Sequence, residues 1–152
     1  MTDPISSYPR RTQISVDAGK LWGGGVATGC VAALVAVAGV LICEGVVDID
    51  LVRPALLLDT MGSFLGDYAL TAFLLALVAT GVAHALVLAT PRPSTFFGWL
   101  MALAIVCGAA APFAIGSELS SQLATACINT ALGVCVWSLL SAVMSRTVTY
   151  SA

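Results

Sequence analysis

Charge is what this chain has least of. Its six Lys and Arg and eight Asp and Glu make only 9% of 152 residues charged, against about a quarter in ordinary soluble domains. A soluble fold needs a charged shell to meet water, and this chain cannot supply one. A net charge of -2 with no basic stripe argues equally against a nucleic-acid partner. Catalytic motifs are missing as well. The five cysteines, Cys30, Cys43, Cys107, Cys127 and Cys135, contain no C-x-x-C pair, which removes a disulfide-forming redox enzyme and leaves them as small hydrophobes. One histidine is too few for a haem bundle. There is no Walker, Rossmann or nucleophile motif, and Gly23-Gly24-Gly25 follows no strand that would make it a phosphate cradle. Glu44, Asp48 and Asp50 read as a solvated acidic rim rather than a cation site. The sequence therefore assigns no catalytic, cofactor or metal residues and no enzymatic activity.

What is abundant is apolar sequence, at 59% of residues with a mean hydropathy of +1.01. It is gathered into four runs free of Asp, Glu, Lys and Arg, at 21–43, 68–90, 96–115 and 123–144. A hydrocarbon core about 30 Å thick takes about 20 helical residues. The expected fold is an all-α integral membrane protein, a bundle of four transmembrane helices. Residues 1–20 form a polar arm, expected to be disordered, 44–67 a long loop on the opposite side, and 145–152 a short tail.

Orientation follows from Lys and Arg, which are retained on the cytoplasmic side of short loops. One side carries Arg10, Arg11, Lys20, Arg92 and Arg146, and the other carries Arg53. Both termini are therefore expected in the cytoplasm, in a multi-pass protein of the cell membrane, a bacterial inner membrane being the natural setting. A cleaved signal is the weaker reading of the first run, since signal cores span about 7–15 residues and this run has 23. Pro91-Arg92-Pro93-Ser94-Thr95 reads as a tight turn. Within 44–67, Pro54-Ala55-Leu56-Leu57-Leu58 is too apolar for a freely solvated loop and is expected to lie over the bundle or among headgroups.

Few polar side chains sit inside the runs, and such residues are functional candidates by default. His84 lies about 9 Å and Asn129 about 22 Å from the cytoplasmic helix ends, too far apart to act together. Thr28 and Ser138 share the depth of His84 and are expected to satisfy its ring nitrogens. Pro112 has no amide hydrogen and leaves the Gly108 carbonyl without its helical partner. Asn129, at a similar depth, is expected to fill that vacancy. Gly25 and Gly29 form a GxxxG, a close-packing motif that serves either within the bundle or at a homodimer face.

The pattern Leu21-Trp22-Gly23-Gly24-Gly25, Thr90-Pro91-Arg92-Pro93 with Phe96-Phe97-Gly98-Trp99, and Pro112-Phe113 with the Asn129 helix resembles a family of uncharacterised actinobacterial membrane proteins, a domain of unknown function. The resemblance covers about residues 20–144. It implies a four-helix membrane fold and no activity, substrate or site. The functional expectation is a non-catalytic module that self-associates or serves a larger membrane complex, with the lipid bilayer as its constant partner. The alternative is a small oligomeric transporter or channel with His84 lining its pathway.

Overall fold

The computed structural model describes residues 14–16, 18–53 and 60–150. Four helices dominate: α1 (Ala18–Gly45), α2 (Phe64–Ala89), α3 (Pro93–Ala110) and α4 (Leu119–Thr147). A 3-10 turn, Ala111–Ala114, extends α3. All four helices are long and apolar enough to cross a membrane. α1 and α4 run past both ends of their charge-free sequence, and α2 and α3 start before theirs, because polar flanks such as Ser120 to Gln122 and Ser145 to Thr147 remain helical. At 28 residues, α1 measures about 42 Å, more than the hydrocarbon thickness.

α1 packs chiefly on α2 and then on α4, and α3 packs chiefly on α4. α2 touches α3 more lightly, so the helices close in sequence order around a square. The buried stripe of α1 is Leu21, Gly25, Thr28, Gly29, Ala32, Ala36 and Val40, and that of α2 includes Tyr68, Ala72, Ala76, Thr80, Ala83 and Val87. These are mostly small residues at helical spacing, suited to close backbone approach in lipid, where no hydrophobic drive joins helices. The GxxxG is part of this seam. A Cβ at Gly25 would collide with the Thr80 side chain, and one at Gly29 would stand 2.8 Å from Phe73 Cδ2. Large side chains face outward instead, among them Leu34, Leu41, Val78, Leu88, Leu103 and Val106. Such a surface suits lipid rather than water.

Helix ends follow local chemistry. Ser63 caps α2 by accepting the Gly66 amide, and Pro93 opens α3 where its missing amide costs nothing. Gly62 and Gly116 take positive φ of 69° and 71° at the turns entering α2 and α4. The exposed Trp137 indole of α4 lies 3.7 Å from where a Gly98 Cβ would stand, an ordinary van der Waals contact with α3.

The expectation of a structureless arm over 1–20 is corrected at its end. Ile14–Val16 (β1) pairs antiparallel with Val148–Tyr150 (β2), Ile14 opposite Tyr150. α1 also begins at Ala18, inside the expected arm. The rest of the arm, with Arg10 and Arg11, and the Pro54 to Leu58 stretch lie outside the described residues.

Candidate functional site

The polar interior of the bundle resolves into two places, near the α1–α2 loop and near His84. At the first, α2 starts with Tyr68 one turn inside, 4% exposed. A buried phenol needs a partner for its hydroxyl, and Tyr68 Oη donates to Asn129 Oδ1 at 2.6 Å. Asn129 Nδ2 in turn donates to the Gly108 carbonyl at 2.9 Å. That carbonyl is the one Pro112 leaves open, and the helix tightens into its 3-10 turn immediately beyond it. The chain of donors thus runs from α2 through α4 to α3. Its two ends fix the amide orientation, since Oδ1 must face the hydroxyl and Nδ2 the carbonyl.

The loop is fastened beside this chain. Val52 N donates to Thr125 Oγ1 at 2.9 Å, one helical turn before Asn129. Leu51 and Val52 are buried, so this flank of the loop does lie on the bundle. Asp67, next to Tyr68 and also buried, accepts the Thr60 and Met61 amides on Oδ1 at 2.9 and 2.8 Å. The Arg53 guanidinium carbon stands 5.7 Å over the Phe64 ring, whose centroid is 5.6 Å from that of Tyr68.

His84 is placed differently from expectation. Its Nδ1 is buried without a hydrogen-bond partner, and its ring lies 6.5 Å from that of Trp22 at an interplanar angle of 53°. The Thr28 hydroxyl donates instead to the Gly24 carbonyl of its own helix at 2.8 Å, and Ser138 faces outward from α4. Equal depth did not bring these residues to one azimuth. The buried hydroxyls of Thr71, Thr80 and Thr125 behave as Thr28 does, each donating to the carbonyl four residues earlier, and so does the half-buried Thr130.

On its outer face α4 carries an open groove of about 760 Å³ along Cys127, Thr130, Ala131, Val134, Cys135 and Ser138. Among the described residues no three His, Cys, Asp or Glu come together as a metal-ligand group.

Sequence reasoning identified Asn129, Gly108 and Pro112 and missed Tyr68, Thr125 and Asp67. The available signal for Tyr68 was its hydroxyl, which lipid cannot satisfy at the head of an apolar run. The model of a family of unknown function, DUF6069, matches residues 16–146, and the chain belongs to that family. No curated protein and no solved structure matches it.

Proposed function

We propose that this DUF6069 member is a non-catalytic membrane module that associates with further copies of itself through the outer face of α4. The small residues of that face carry the reading. Where α1, α2 and α3 turn Leu34, Leu88 and Leu103 to the lipid, the α4 groove is lined, beside Leu123 and Val134, chiefly by Ala126, Cys127, Thr130, Ala131, Cys135 and Ser138, small residues that let a second backbone approach closely. The GxxxG of α1 is already consumed against Thr80 and Phe73, so it is not open to a second copy, whereas the small residues of the α4 groove are. The Lys and Arg asymmetry supports an orientation with both termini in the cytoplasm, and an actinobacterial inner membrane fits the sequence resemblance.

The native thiols supply the test. Cys127 lines the groove and is exposed, as are Cys30 on α1 and Cys107 on α3. Oxidative crosslinking in native membranes of variants retaining one cysteine each is expected to give dimers from Cys127 or Cys135 and none from Cys30 or Cys107. Equal yields from all four, or dimers only through Cys30 or Cys107, defeat the reading. A larger heteromeric complex would replace the dimer by crosslinks to another chain. The unpartnered Nδ1 of His84 is the observation favouring the second reading, an oligomeric transporter or channel with that residue on the pathway.

A further inference from the structure

Three lines of contact run from the α1–α2 loop into the bundle, and each ends on or within one helical turn of the same pair of side chains, Tyr68 and Asn129. Through the first, the Val52 amide holds Thr125, whose hydroxyl hydrogen is committed to the Ser121 carbonyl at 2.8 Å, so that its lone pair is left to face the loop. Asn129 follows one turn later on the same face of α4. The second passes from Arg53 across the Phe64 ring to the Tyr68 ring. In the third, the Thr60 and Met61 amides grip Asp67, the residue before Tyr68. Tyr68 and Asn129 then bind each other, and Asn129 binds the Gly108 carbonyl where α3 tightens.

We propose that the loop flanks at Val52–Arg53 and Thr60–Met61 and the Tyr68–Asn129–Gly108 chain form one coupled switch, through which an event on the loop face alters the bend of α3. The element with two arrangements is the junction of α3 with its 3-10 turn. In one arrangement the Gly108 carbonyl is held by Asn129, and in the other it is released. Anything that pulls Val52 from Thr125, or Thr60 and Met61 from Asp67, shifts the turns of α4 and α2 that carry Asn129 and Tyr68. A 2.6 Å hydrogen bond does not tolerate such a shift. Coupling of this kind is reciprocal, so breaking the chain in the interior must also loosen the loop.

Hydrogen–deuterium exchange of the full-length protein in nanodiscs reads both directions. Tyr68→Phe, which removes only the hydroxyl, is expected to speed exchange of the Val52, Thr60 and Met61 amides at least about fivefold, the lower end of ordinary coupling. Amides around Thr80, on the α1–α2 seam, should not change. Thr125→Val should in turn speed exchange of Ala111 and Ile115, while Thr125→Ser, which keeps the acceptor, should behave as the unaltered protein. Effects confined to the mutated side overturn the proposal, as does a uniform rise that includes the Thr80 region. If Thr125→Val does not fold, the Tyr68→Phe arm decides alone.

Discussion

Replacing Asn129 by Leu removes two interhelical hydrogen bonds at once, to Tyr68 Oη and to the Gly108 carbonyl. Each such bond in a membrane protein contributes on average about 0.6 kcal/mol and at most about 1.7, so the variant should lose about 1–3 kcal/mol. The loss divides between two partners. In a Pro112→Ala background the restored amide can bond Gly108 itself, and the cost of Asn129→Leu should fall by about 0.5–1.5 kcal/mol. It should not vanish, because Tyr68 still lacks its acceptor. In a Tyr68→Phe background the other share disappears, and with both substitutions present Asn129→Leu should be close to neutral. Reversible unfolding in mixed micelles, run on all members of the two cycles, measures these terms. Additivity in both cycles would refute the argument, and so would complete relief by Pro112→Ala alone.

Gly25→Ala should destabilise by about 1–3 kcal/mol in the same assay, since its methyl would meet Thr80, which is fully buried. Gly23→Ala, with nothing within 4 Å of the added atom, should be neutral or gain up to about 1 kcal/mol of helix propensity; equal losses at the two sites would contradict the packing described. His84→Phe should change stability by less than about 0.5 kcal/mol, because Nδ1 has no hydrogen bond to lose and the ring contact with Trp22 persists. A loss well above that, or a pH-dependent current abolished by His84→Gln, would restore a polar role for the residue.

The four helices are legible in the sequence because lipid demands charge-free runs of fixed length, and nothing else in a short chain imitates them. Their ends are less so, since helices continue past the hydrocarbon in residues that hydropathy counts as loop. The Asn129–Gly108 contact can be read because proline names the one carbonyl it deprives, four residues earlier. His84 could not be paired the same way. Depth along a helix comes from counting, whereas the direction a side chain faces depends on how the helices rotate against one another, and that is decided by the packing of Gly25, Gly29 and Thr80. The β1–β2 pair left no trace because three-residue strands carry no period. Tyr68 and Thr125 were hidden by ordinary appearance, one resembling an interfacial aromatic and the other a helical threonine bonded to its own backbone.

Those self-bonded threonines decide how the bundle can deform. A hydroxyl satisfied within its own turn travels with its helix, so sliding or rotating the seam between α1 and α2 breaks no hydrogen bond made by Thr28 or Thr80. That seam resists only through shape, and shape yields gradually as a bilayer thins or a helix tilts. The opposite corner is doweled by Tyr68 and Asn129, where displacement costs a whole bond or nothing. Changes in membrane thickness should therefore be absorbed as creep along α1, with α2, α3 and α4 keeping their register.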